Sequence, residues 1–188
     1  MKVILASASE RRKELLFRLF EEFEVVVSNF DEDSVVFSGN LEEYVKTLSY
    51  GKAKEISKSS IKDSLIIAAD TIVSIDGKIL GKPKDKQEAV NMLKTLSGRE
   101  HKVYSGITVI NSNSSKIIQD AVCTTVYFSV LSDEEILSYV ETNEPMDKAG
   151  AYGIQGHGGI FVEKIDGCFY NVVGLPLNRL SKIIKEIM

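Results

Sequence analysis

The run 65-LIIAADTIVSI-75 constrains this chain more than any other stretch. It is apolar on both alternating faces, which reads as a strand covered on both sides, and such a strand needs a sheet with helices packed on it. Its single ionisable side chain is Asp70. A carboxylate there is costly to bury unless a cation, a hydrogen-bond donor or a metal meets it. Strand ends in α/β folds are where ligands bind, so Asp70 leads the candidates for chemistry. The competing interpretation is an acid satisfied by backbone donors at a strand end.

The surrounding pattern alternates strands with helices. Lys2 to Ala6 reads as a buried strand, and 7-SASERR-12 as a turn into a helix capped by Ser7 or Ser9, with Ser7 and Glu10 at capping-box spacing. Leu15, Leu16, Leu19 and Phe20 form its apolar stripe, and a second strand spans Phe23 to Ser28 before the acidic turn 31-DED-33. Leu41 to Ser57 is a helix whose stripe of Leu41, Val45, Leu48 and Ile56 also takes in Lys52. Asp76-Gly77 predicts a hairpin leading into 78-KILGKP-83. Asp85 caps a helix over Lys86 to Ser97, which Gly98 ends. Strands are expected over Val103 to Ile110, Lys116 to Asp120 and Val122 to Val130, with a short helix from Ser132 to near Glu141. Glycines crowd 145-PMDKAGAYGIQGHGG-159, a loop built for close backbone approach. A hairpin is expected at Asp166-Gly167, and 171-NVVGLP-176 opens a last helix lined by Leu177, Leu180, Ile183, Ile184 and Ile187. Hairpins beside crossover helices imply a mixed sheet in one domain, residues 1–188.

Composition excludes several classes. A formal net charge of −4 disfavours a nucleic-acid polymer as partner. The apolar runs are too short to span a bilayer, so no membrane association is expected. Charged residues follow the N-terminal VILA run at once, unlike a signal peptide. The two cysteines, Cys123 and Cys168, form no CxxC pair and read as two reduced, buried thiols of a cytoplasmic protein. His101 and His157 lie too far apart in sequence to suggest structural zinc.

Cations accompany the acid. Ser7, Ser9, Arg11 and Arg12 sit where a strand meets a helix, a place that suits phosphate oxygens. Lys82, in 81-GKP-83, follows Asp70 across a hairpin and could fold back towards it. With Lys52, these residues put four cations near one or two acids, a pattern that suits a triphosphate with a divalent metal. Glu32 is the candidate to join Asp70 in holding the ion, because Mg²⁺ needs few protein ligands when phosphates supply the rest. The glycine-rich loop is neither a Walker A motif nor a dinucleotide fingerprint. Its Gln155 offers a planar amide able to read a base edge, and Lys148 adds another cation. Each of these has a plain alternative: a snorkelling Lys52, solvated arginines, a solvated acidic turn, and a structural loop bearing a surface glutamine.

Together, 7-SASERR-12, 68-AADTIV-73, 80-LGKP-83, 97-SG-98 with His101, 147-DKAGAYGIQG-156 and 171-NVVGLP-176 resemble the Maf family along nearly the whole chain. The resemblance implies an elongated α/β fold like that of inosine triphosphate pyrophosphatases, with a mixed sheet flanked by helices and two lobes around a cleft. It implies a nucleoside triphosphate pyrophosphatase that needs a divalent cation, Mg²⁺ or Mn²⁺, with links to cell-division arrest and nucleotide-pool cleaning. It leaves room for a homodimer. The DKAGAYGIQG form resembles the branch acting on dTTP and UTP; the branch acting on 7-methyl-GTP has an acid in place of the glutamine. By position, Asp70 resembles the family's catalytic acid. Arg11, Thr71 and Gln155 match positions tied to base preference. Ser7, Arg12, Lys52 and Lys82 match the phosphate site, and Glu32 an acid of the metal region. Glu10 stands where the family usually has proline, and a modest effect on affinity is expected. The alternatives are the same reaction on 7-methyl-GTP or another nucleotide, and a nucleotide-binding division regulator with little catalysis.

Overall fold

The computed structural model describes residues 1–59 and 62–188. Among them a seven-stranded mixed sheet forms in the order β2-β1-β3-β5-β6-β7, with β4 paired to β3. The strands are β1 (Lys2–Leu5), β2 (Glu24–Val25), β3 (Ser64–Ile75), β4 (Lys78–Leu80), β5 (Glu100–Asn111), β6 (Ile117–Phe128) and β7 (Val162–Asp166). The α-helices are α1 (Glu10–Leu16), α2 (Leu41–Ser57), α3 (Lys86–Leu96), α4 (Asp133–Glu141), α5 (Phe169–Val173) and α6 (Leu177–Ile187). β1 runs parallel to both β2 and β3, whereas β3–β4 and β6–β7 are antiparallel. The mixed α/β fold expected from the sequence is the one observed.

The chain divides into two compact units. The first comprises Met1–Asp70, Ser105–Val122 and Gly174–Met188. Its core includes Ile4, Ala6, Ala53, Ile56, Ile66, Ala68 and Ile110. α2 starts at Asn40, whose side chain accepts the Glu42 and Glu43 amides, and buries Val45, Leu48, Ser49, Ala53 and Ile56. Each large aliphatic side chain so buried contributes about 1.5–3 kcal/mol. α6 buries Leu177, Leu180, Ile183 and Ile187, the i, i+3, i+4 stripe read from its sequence, while Ile184 stays half-buried.

The second unit comprises Thr71–Tyr104 and Cys123–Val173. It has its own core, in which Val73, Leu93, Val126, Phe128, Ile136, Tyr152 and Phe161 take part. Asp76 and Gly77 both have positive φ, 52° and 73°, as the Asp-Gly hairpin requires. Asp85 caps α3 by accepting the Glu88 amide. α4 opens with a full capping box between Ser132 and Glu135.

Five local expectations are corrected. The two cysteines are not buried: Cys123, on β6, is exposed, and Cys168 is half-buried. α1 is capped by Ser9, which accepts the Arg12 amide, and not through a Ser7–Glu10 box. β2 is only two residues long: Glu24 and Val25 meet β1, and Val26 adds one bond to the Leu5 carbonyl. The two strands expected over 116–130 are one continuous strand, β6, which runs beside β5 and passes unbroken through Ala121; β7 joins it only from Thr125 to Phe128. No hairpin forms at Asp166-Gly167. Thr124 Oγ1 accepts the Cys168 amide and donates to the Cys168 carbonyl, so the chain leaves β7 pinned to β6 and enters α5.

Candidate active site

Asp70 ends the first segment of the first unit, Met1–Asp70, and is buried, with 8% of its surface exposed. Its Oδ1 accepts a 2.6 Å hydrogen bond from Lys52 Nζ. The same ammonium lies 3.0 Å from Glu32 Oε1. Lys52 therefore does not snorkel: it rises from the apolar stripe of α2 into a pair of carboxylates, and little of its side chain meets solvent. A buried carboxylate needs such a partner, and this pair supplies it. The tight packing of Phe30 on α2 brings the acidic turn close. A Cβ on Gly51 would lie 2.3–2.5 Å from the Phe30 ring, so the ring covers the helix where it has no side chain. Phe30 lies two residues before Glu32, and Gly51 immediately precedes Lys52.

Arg12 is half-buried in the same electrostatic neighbourhood. Its Nε donates to the Gly174 carbonyl at 2.9 Å, and its Nη1 donates to Ser7 Oγ at 3.3 Å. Ser7 Oγ also accepts the Ser9 amide. Burial pulls the Arg12 pKa below its ordinary value; Asp70 draws it back up, Arg11 lowers it, and Glu32 raises it. The bond to Gly174 gives the 171-NVVGLP-176 motif one physical task, that of anchoring the arginine.

Tyr44 escaped the sequence reading. It sits on α2 two turns before Lys52, and burial raises the pKa of its hydroxyl, followed by the charges of Asp70, Glu32 and Asp33. The i, i+4, i+8 series Tyr44, Leu48, Lys52 was the available signal.

Ser7, Arg12, Glu32, Lys52 and Asp70 are thus brought together in the first unit, and Arg11 belongs to the same unit. Thr71, Lys82 and Gln155 belong to the second. Thr71 is half-buried, whereas Lys82 and Gln155 are exposed. No group of three or more His, Cys, Asp or Glu side chains able to hold a metal is found among the described residues. Glu32 and Asp70 nevertheless fit a hard divalent cation: both are oxygen donors, and both already hold one positive charge. Two carboxylates suffice for an ion that takes its other ligands from phosphates and water.

Among the described residues no helix is long and apolar enough to cross a membrane. The chain is 59% identical over 186 residues to a dTTP/UTP pyrophosphatase of Clostridium botulinum, strain Alaska E43, covering 99% of each chain. It is 59% identical over 187 residues to a dTTP/UTP pyrophosphatase of Clostridium beijerinckii, covering 100% of each. The Ham1 protein of Staphylococcus aureus resembles it in fold, with a TM-score of 0.53 at 12% identity and full coverage of both chains. The Maf-like protein family model matches residues 2–187, and the chain belongs to the Maf family.

Proposed function

We propose that this chain, acting as one pyrophosphatase domain, hydrolyses dTTP and UTP to the nucleoside monophosphate and pyrophosphate. The observation that carries the reading is Asp70: a buried carboxylate bonded to Lys52, which also holds Glu32, beside the half-buried Arg12. The near-full-length relatives named for dTTP and UTP support the choice of substrate.

In the proposed reaction a water oxygen attacks the α-phosphorus. The bond from that phosphorus to the oxygen bridging to the β-phosphorus breaks, and pyrophosphate leaves. Asp70 accepts the proton from the attacking water. Lys52, Lys82, Arg11 and Arg12 offset the charge on the phosphates, with Ser7 as a hydroxyl donor. A divalent cation, Mg²⁺ or Mn²⁺, held by Glu32 and Asp70 would supply further charge compensation at the phosphates. Arg11, Thr71 and Gln155 contribute to base preference. The enzyme works in the cytoplasm, and a homodimer is consistent with the reading.

The test is pyrophosphate release from a panel of nucleoside triphosphates with Mg²⁺, for the native chain and Asp70→Asn. The native chain should prefer dTTP and UTP. Asp70→Asn should lose nearly all turnover, about 10³-fold or more, while still binding nucleotide. Full activity in that variant would remove Asp70 from the chemistry. A binding signal without pyrophosphate release from the native chain would favour a regulator over an enzyme.

A further inference from the structure

The glycine-rich loop that carries Gln155 is held by a carboxylate the reaction does not use. Glu144 Oε2 accepts the His157 amide at 2.9 Å. Its Oε1 accepts the Gly158 amide at 3.2 Å and the Tyr139 hydroxyl at 2.9 Å. The Tyr139 oxygen in turn accepts the Gly153 amide at 3.2 Å. The backbone is therefore gripped on both sides of Ile154, Gln155 and Gly156, and the Gly156 amide closes the turn on the Gly153 carbonyl. Gln155 stands exposed at the apex of this short bridge. The approach is too close for side chains: a Cβ on Gly156 would lie 2.4 Å from both Glu144 carboxylate oxygens, and one on Gly158 would lie 2.7 Å from the Tyr139 hydroxyl.

We propose that Glu144 is a positioning residue for substrate selection: its carboxylate fixes the loop through residues 153–158 and so orients the Gln155 amide towards the pyrimidine. This rests on the base-reading role of Gln155 given above. An ionised carboxylate is the only common side chain that offers two oxygens and no donor. Three donors converge on it here, two backbone amides and one hydroxyl. An amide in its place would turn its own NH₂ towards one of them and leave that donor facing a donor. Burial raises the Glu144 pKa, but the His157 and Gly158 amides, Tyr139 and the charge of Lys148 outweigh it and hold the acid below its ordinary value.

The experiment compares Glu144→Gln, Gln155→Ala and the double variant on dTTP, UTP, CTP and GTP, with amide hydrogen exchange measured at His157 and Gly158. Glu144→Gln should raise KM for dTTP and UTP about tenfold, the scale of one charge-assisted hydrogen bond, with a much smaller change in kcat. It should also narrow the ranking of the four substrates and speed exchange at both amides. The double variant should be no worse than Gln155→Ala, because two residues acting through one contact do not add. If Glu144→Gln unfolds, Tyr139→Phe removes one donor and the hold on Gly153, and a smaller shift in the same direction is expected. If Gln155→Ala changes the ranking while Glu144→Gln leaves KM and ranking intact, the positioning role is overturned and base reading stands. Penalties that multiply fully in the double variant also overturn it. If Gln155→Ala leaves the ranking unchanged, base reading fails and the positioning role falls with it.

Discussion

His101 shows how one side chain can tie the stability of the second unit to pH. It is 2% exposed, with its ring against Phe128 and Tyr152 and its Nε2 hydrogen-bonded to the Tyr152 hydroxyl at 2.8 Å. Its Nδ1 has no hydrogen-bond partner, and burial lowers its pKa from 6.5 to about 4. The folded protein keeps the ring neutral while the unfolded chain protonates it below about 6.5, so the unfolded state binds more protons across this window. The stabilisation is fully present above 6.5 and fades as pH falls towards about 4, and a shift of this size corresponds to about 3 kcal/mol. Urea unfolding at several pH values from 7.5 down to 4.5 should therefore show a loss in the native chain that is reduced in His101→Gln. Parallel losses in the two proteins would place the acid sensitivity elsewhere. Nothing in the sequence around His101 shows this environment, because Tyr152 lies about fifty residues away and only the fold brings the rings together. Asp70 was more legible, since an acid in an apolar strand announces its need for a partner whatever that partner is. Its partner is Lys52, which it shares with Glu32, and the packing of Phe30 on Gly51 that brings the acidic turn to α2 has no local signal in the sequence.

α2 carries both Lys52 and Tyr44, so its seat on the sheet governs the candidate site. That seat is set at Gly106 of β5. A Cβ there would lie 2.1 Å from the Val45 carbonyl oxygen and 2.8 Å from the Lys46 amide, both rigid helix backbone. One turn along, Ser49 Oγ and Thr108 Oγ1 share a buried 2.8 Å hydrogen bond. The helix cannot yield locally, so Gly106→Ala should push it away from β5 and destabilise the protein by about 1–3 kcal/mol or more. The same shift should weaken the Lys52 contacts to Asp70 and Glu32, so turnover should fall even at temperatures where the variant is fully folded. Thermal unfolding and pyrophosphate release on one preparation check both effects; unchanged stability would show that the helix is not seated there. At this scale the sequence reading did best where local signals agree. The apolar stripe of Leu41, Val45, Leu48 and Ile56 placed α2, and Asp-Gly placed the β3–β4 turn. It did worst at 116–130 and at Asp166-Gly167, where pairing with β5 and the two hydrogen bonds between Thr124 and Cys168 override the turn signals.

Two units with separate cores divide the candidate residues unevenly. Asp70, Glu32, Lys52, Arg12 and Ser7 fall in the first, and Thr71, Lys82, Gln155 and the Glu144 clamp in the second. The first set is chemically indifferent to the base: carboxylates, an ammonium and a guanidinium address phosphates, which every nucleoside triphosphate has. The exposed Gln155 amide carries both a donor and an acceptor, and only such a group distinguishes one base edge from another. Substitutions should therefore separate into two kinds. Lys52→Met leaves Asp70 and Glu32 without their shared cation and should lower kcat/KM by about 10²-fold or more on every triphosphate, with the order of preference kept. Gln155→Glu replaces the donor with a second acceptor and should lower dTTP and UTP relative to 7-methyl-GTP by about tenfold or more. Competition assays with mixed substrates read the ratios directly and do not depend on the fraction of active enzyme. A changed order of preference in Lys52→Met, or an unchanged one in Gln155→Glu, would show that catalysis and selection are not divided in this way.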